Sequence, residues 1–170
     1  TANPVTLGTD AVYVYQNDNK GTVINHTPLT SAGDRNYGLY GNGSIYNDGV
    51  IDFSNGIGSV GMYATTGGTA TNLTGGIIKV GDSDTNRKEY GVGMATGYYD
   101  DNPLSPTYRQ VSNQGTIINQ GTIEVSKPDT IGMYAVGSGS KAINYGNINL
   151  MGSKTVVMYI DRGAVGENWG

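Results

Sequence analysis

Apolar and polar residues alternate in short runs along this chain. In "VGMYAT", Val60, Met62 and Ala64 interleave with Gly61, Tyr63 and Thr65; Ile78 and Val80 flank Lys79, as Ile123 and Val125 flank Glu124. A period of two belongs to a strand with one buried face and one wet face. No stretch sustains a helical period, so the pattern predicts an all-β chain of many short strands.

Two of these strands are written repeatedly. The first reads "VYVYQ", "YGLYG", "VGMYA", "VGMAT", "IGMYA" and "VVMYI". Its central residues, Val14, Leu39, Met62, Met94, Met133 and Met158, are 25, 23, 32, 39 and 25 residues apart. That column has no hydroxyl to satisfy and is expected inside, on one face with Val60 and Ala64. The next column, Tyr15, Tyr40, Tyr63, Ala95, Tyr134 and Tyr159, is expected outside with its phenols in water. Gly132, before Met133, is expected to keep that outer face flat.

The second strand follows an Asn-x-Gly turn, as in "NDGVIDF" from Asn47, "NQGTIEV" from Asn119 and "NYGNINL" from Asn144. "NKGTVIN" from Asn19 and the longer "NLTGGIIKV" from Asn72 align with it. The turn glycine is read as supplying a positive φ, which the neighbouring Asn also tolerates. Val23, Ile51, Ile78, Ile123 and Ile148 then fall on the buried face, followed two residues on by Asn25, Phe53, Val80, Val125 and Leu150. The first copy alone departs, with Asn25 in an apolar slot and Ile24 in a polar one.

A motif repeated along a chain belongs to architecture, because one pocket needs its groups only once. Units this small cannot bury an apolar face alone and must stack on their neighbours. The pattern predicts a right-handed parallel β-helix of five to six coils, with an antiparallel sandwich as the alternative. Residues 1–170 read as one segment of a longer chain, opening at "TANPV" and closing on another turn, "NWG".

The repeat breaks once on a large scale. Met94 to Ile123 takes 29 residues where Met133 to Ile148 takes 15. The excess is "TGYYDDNPLSPTYRQVSNQ", residues 96–114, in which Pro103 and Pro106 exclude a continuous ladder, so a loop insertion is expected. Tyr98, Tyr99, Asp100, Asp101, Tyr108 and Arg109 are its candidate ligand-binding residues. Rigid aromatic faces beside charges suit a sugar or a protein, and loops are where function concentrates. A smaller excursion, "GDSDTNRKEYG", starts at Gly81.

Composition narrows the function. Glycine is 28 of 170 residues and only 14% are charged, which suits short strands and turns. A net charge of -4 with ten Lys plus Arg offers no basic stripe, which argues against a nucleic-acid partner. Cysteine is absent, excluding disulfides and thiolate metal sites within the segment. No apolar run reaches the roughly 18 residues of a spanning helix, so no membrane insertion of this segment is expected.

Familiar motifs lack their context. "GIGSVG" from Gly56 has the spacing of a dinucleotide loop but no strand leading into a helix, so corner glycines explain it. "DSDTN" from Asp82 starts like a calcium loop, but Arg87 stands where glycine is needed and Gly93 where a glutamate belongs. His26 is the one histidine and sits in a turn, "NHTPL". No metal, cofactor or catalytic residue is therefore expected. The enzyme alternative groups Asp48, Asp52, Asp100 and Asp101, since paired carboxylates cleave polysaccharides on some parallel β-helices. Asp52, however, takes a slot held elsewhere by Ile24, Lys79, Glu124 and Asn149, an ordinary solvent-facing position. The tyrosine column itself reads as a stiffening ladder over glycines or as a flat aromatic strip for glycans.

The pairing of "GMYA" with "NxGTI" strands, as in "NQGTIEVSKPDTIGMYAVGSGSKAINYGNINL" from Asn119 to Leu150, resembles the passenger regions of large autotransporter adhesins, especially fusobacterial ones. The resemblance implies a passenger segment on the bacterial cell surface, carried across the outer membrane by a translocating β-barrel elsewhere in the same polypeptide. Its implied partners are bacterial or host cell-surface proteins or glycans. Beside this adhesin reading stand a polysaccharide-active enzyme on the same fold and a purely structural spacer.

Overall fold

The computed structural model describes residues 3–170, and among them there is no helix. The chain coils through three six-stranded parallel sheets, each coil giving one strand to each sheet. The fourth coil, for example, runs Ile77–Lys79, Val92–Thr96 and Thr116–Asn119. Six strands per sheet make six coils of a parallel β-helix, as the repeat predicts. Strands this short are marginal alone; what stabilises each is the coil stacked on either side.

The methionine strands form one sheet, in the expected register. Val14, Leu39, Met62, Met94, Met133 and Met158 are direct partners in adjacent strands, and the tyrosine column lies beside them. Leu39, Met62, Met94 and Met133 are fully buried in the central core. The strict alternation expected there is wrong at the glycine. Val60 and Val92 belong to an outer cluster with Tyr63 and Ala95, while Met62 and Ala64 face the core. Gly61 also faces inward: a Cβ there would stand 2.7 Å from Ile78 Cγ2 and 2.7 Å from the Gly93 carbonyl oxygen. Gly132 meets Ile148 Cγ2 at 2.9 Å in the same way. The register stays one to one across the glycine, so every strand of this sheet turns two successive residues inward at the same place. The glycine leaves room for the isoleucine across the coil and does not flatten the outer face.

Ile51, Ile78, Ile123 and Ile148 form the second sheet, continued by Leu29 and Val5. Val23 is not among them. It lies in a third sheet that the two-module reading does not separate, aligned with Ile45, Ala70, Ile117, Ala142 and Gly166. Each strand of this sheet ends on an asparagine: Asn25, Asn47, Asn72, Asn119, Asn144 and Asn168. The apparent misfit at Asn25 is thus the first rung of this column, and the residue that pairs with Ile51 from the preceding coil is Leu29.

The asparagines make an unbroken amide chain. Each Nδ2 donates to the Oδ1 of the next, at 2.9, 2.9, 2.9, 2.8 and 2.8 Å from Asn25 through Asn168. Each of the first five also donates to a carbonyl of its own corner, as Asn47 does to Gly49 at 3.0 Å. From Asn25 to Asn144 they are at most 3% exposed, where an unpaired amide would be costly. Neither these asparagines nor the glycines after them have positive φ, contrary to the expected turn geometry. Glycine is required at these corners because successive coils touch backbone to backbone: a Cβ on Gly121 or Gly146 would collide with the carbonyl of the glycine one coil below.

Candidate ligand-binding groove

The outer face of the tyrosine sheet is apolar and aromatic, unlike a simple wet face. Tyr15, Tyr40 and Tyr63 stack with near-parallel rings, centroids 5.4 and 5.0 Å apart, and Tyr134 stacks on Tyr159 at 5.3 Å. Tyr37 meets Tyr40 and Tyr63 edge-on. Between the two stacks, in the fourth coil, the column holds Ala95. The expectation that all the phenols stay wet fails at Tyr63, which is 8% exposed and donates its hydroxyl to the Gly97 carbonyl at 2.8 Å. Burial raises the pKa of Tyr63, and likewise of Tyr37 and Tyr134, so these phenols stay neutral.

Both excursions leave this same coil, from opposite ends of the strand Val92–Thr96. The first, residues 81–91, is closed by an Asp84–Glu89 bridge and by Arg87, which pairs with Asp84 at 2.8 Å and Glu89 at 3.3 Å. Ser83 Oγ ties it to the next coil by donating to the Asp129 carbonyl at 2.8 Å. The second folds as a hairpin, Tyr98–Tyr99 pairing antiparallel with Val111–Ser112. Its neck is held by buried Thr96, whose Oγ1 donates to the Ala64 carbonyl at 2.8 Å and accepts from Gly115 N–H at 2.8 Å. The two prolines sit in its tip, and the segment leaves the coil as a short hairpin of its own.

The excursions meet through Lys88 Nζ and Asp101 Oδ2, 3.0 Å apart. Beneath and beside this clasp lies a groove of about 860 Å³, floored by Val60, Val92, Ala95 and Ile131 and flanked by the tyrosine stacks. Glu89 and Tyr90 line it from one excursion, Tyr98 and Tyr99 from the other. Its charged lining is mixed in sign, with Arg35, Lys88 and Lys154 against Glu89 and Asp129.

The residues expected to bind are thus divided. Tyr98, half exposed, and Tyr99 line the groove. The Tyr99 ring is fixed by the Arg162 guanidinium, 3.5 Å from its centroid. Asp101 supplies the clasp. Asp100 is buried in the hairpin and organises it, accepting from Thr107 Oγ1 at 2.6 Å and Asn102 N–H at 3.0 Å. Hydrogen bonds from Ser105, Thr107 and Asn102 hold its pKa below the ordinary carboxylate value. Tyr108 and Arg109 pack on one another, 5.0 Å from guanidinium to ring centroid, and neither lines the groove.

The four carboxylates of the enzyme alternative are not brought together. Asp48 pairs with His26 at 3.2 Å, and Asp52 accepts from Ser54 Oγ at 2.6 Å on another sheet. Among the described residues, no three of His, Asp or Glu gather as metal ligands. Apart from Ala95, the gap in the tyrosine column, the floor residues and Glu89 went unread as site residues in the sequence. The available signal was that both excursions flank the one strand lacking its tyrosine.

Three stacked parallel sheets with excursions over one face define a pectate lyase-like β-helix domain. Residues 2–170 match the family model described as the BigA third pectate lyase-like domain, and the chain belongs to that family. No curated protein and no solved structure matches it.

Proposed function

We propose that this domain is part of an extracellular adhesin on the bacterial surface, an autotransporter passenger whose β-helix carries a binding groove away from the outer membrane. In this reading the translocating β-barrel lies elsewhere in the same polypeptide, and the partner is a cell-surface protein or glycan. The domain is a binder and not an enzyme. Membership in a BigA-type family supports the surface location. The observation that carries the reading is the groove itself: two excursions from one coil, joined by Lys88 and Asp101, frame an apolar floor flanked by tyrosine stacks. A spacer has no use for such a frame, and insertions on one face of a solenoid mark its binding side.

The test is attachment of beads carrying the 170-residue chain to bacterial and host cells. Deleting Tyr98 through Arg109 should abolish attachment while leaving the sheet signal in circular dichroism intact. Attachment that is absent in the parent, or unchanged by the deletion, overturns the reading in favour of a spacer. Turnover of acidic or neutral polysaccharides that is lost in Asp52→Asn or Asp100→Asn overturns it in favour of an enzyme.

A further inference from the structure

We propose that the tip of the hairpin, residues 102–109, docks into an apolar pocket of a partner protein, with Leu104 as the inserted side chain and Arg109 facing a carboxylate on the pocket rim. This rests on the attachment reading and names its partner class.

The first argument is what the tip has left to offer. Leu104 is 92% exposed, more than any other large apolar side chain among the described residues, and Pro103, Pro106 and Tyr108 are exposed with it. Every backbone N–H from Asn102 to Gln110 is already used inside the hairpin, the two prolines having none. Asn102 and Leu104 donate to the Oδ1 atoms of Asp100 and Asn102, each at 3.0 Å, and Thr107 donates to Ser105 Oγ. Ser105, Tyr108, Arg109 and Gln110 donate to main-chain carbonyls of the same hairpin. The Thr107 hydroxyl is taken by Asp100, and Ser105 Oγ lies 3.1 Å from it. The tip thus has no main-chain donor for an added strand and little polar capacity for a glycan. Apolar surface is what remains, and a protein pocket desolvates it.

Rigidity is the second argument. Asp100, 4% exposed, ties both arms of the hairpin through Thr107 and Asn102. Outside the tip, Lys88 holds Asp101, Arg162 lies over the Tyr99 ring and Thr96 fixes the neck. A leucine presented on such a frame loses little freedom on docking.

Charge is the third. Arg109 is exposed and held at a φ of 64°, and among the described residues it pairs with no carboxylate, meeting only the Tyr108 ring. A free cation beside an apolar anchor fits a pocket with an acidic rim. A lipid surface fits less well, because interfacial anchors use a broad apolar face flanked by several basic residues.

The test titrates the labelled 170-residue chain onto bacterial and host cells and reads the half-saturating concentration. Leu104→Asp should raise it at least about tenfold and Arg109→Glu at least about fivefold, while Lys20→Glu, an exposed charge reversal in the first coil, should stay within about twofold. Proteinase treatment of the cells should abolish attachment. Unaltered hydrogen exchange in residues 98–112 checks that the hairpin persists; if Arg109→Glu disturbs it, Leu104→Asp decides. Unchanged attachment in Leu104→Asp, attachment that survives proteinase, or binding to phosphatidylserine vesicles that Leu104→Asp removes overturns the proposal. So does self-association in ultracentrifugation that Leu104→Asp abolishes, which would make a second copy the occupant. Attachment lost on deleting Tyr98 through Arg109 but kept in Leu104→Asp sinks the tip and spares the attachment reading; a parent chain that attaches to nothing sinks both.

Discussion

The molecule carries two ladders of identical side chains, and only one of them is interrupted. The asparagine ladder runs through all six coils without a substitution; the tyrosine ladder gives way to alanine in the fourth. Burial explains the difference. An asparagine at most 3% exposed must pair each polar group, so removing one strands the amides above and below it. Apart from Tyr63, which also donates to the Gly97 carbonyl, a tyrosine in this column gains stacking and area from its neighbours, and its loss interrupts no chain of amides. A β-helix can therefore accept a substitution in its tyrosine ladder at small cost, but not in its asparagine ladder.

The inner methionine column sets the upper end of the scale. Met133→Asp puts an unpaired charge at a fully buried position and should prevent folding, a loss of several kcal/mol visible in circular dichroism. Tyr134→Ser, one residue on and half-buried, should leave the chain folded. The reverse order would mean that the ladder outside, and not the column inside, holds the coils.

Next comes Asn72→Leu. It removes the acceptor for Asn47 and the donors to Asn119 and the Gly76 carbonyl, and should cost about 2–4 kcal/mol in urea unfolding. Asn168→Ala, on the last rung, should cost under about 1 kcal/mol, since it deprives one amide of one acceptor. Equal costs would show that the chain of amides does not act along its length.

The tyrosine ladder is then tested by Tyr63→Phe, which leaves the Gly97 carbonyl without its donor and should cost about 1 kcal/mol. Alkali tests the same contacts. Burial raises the folded pKa of Tyr63, Tyr37 and Tyr134 above the ordinary 10.0, so the neutral phenol is the favoured folded form. Their contribution should be complete below pH 10 and decline as pH rises toward the folded values, seen as a falling urea midpoint that Tyr63→Phe partly flattens.

The smallest effect belongs to the hairpin. Asp100 has a lowered folded pKa, so its contribution is present above the ordinary value of 3.8 and lost as pH falls through the lower folded value. Hydrogen exchange should quicken in residues 98–112 at such acidity, and in Asp100→Asn at neutral pH, while the asparagine ladder stays protected. Simultaneous loss of both would mean that the hairpin is not an independent element.

Much of this was legible in the chain. The repeated apolar columns and the spacing of Met62, Met94 and Met133 determine the parallel β-helix and its register, because each methionine must stack on the one in the next coil. The break at residues 96–114 located the larger excursion, and Ala95 stood out as the gap in its column. Three things depended on contacts between residues far apart in sequence. The third sheet was hidden because its strands, such as "TATN" and "KAIN", carry small or polar residues and end on an asparagine that reads locally as a turn. The inward glycines depended on an isoleucine from another sheet. The groove depended on two excursions meeting at Lys88 and Asp101, 13 residues apart in sequence but joined across a strand. Local periodicity specifies what each strand buries and against which neighbour it stacks; only the closed coil decides which loops face one another across its surface.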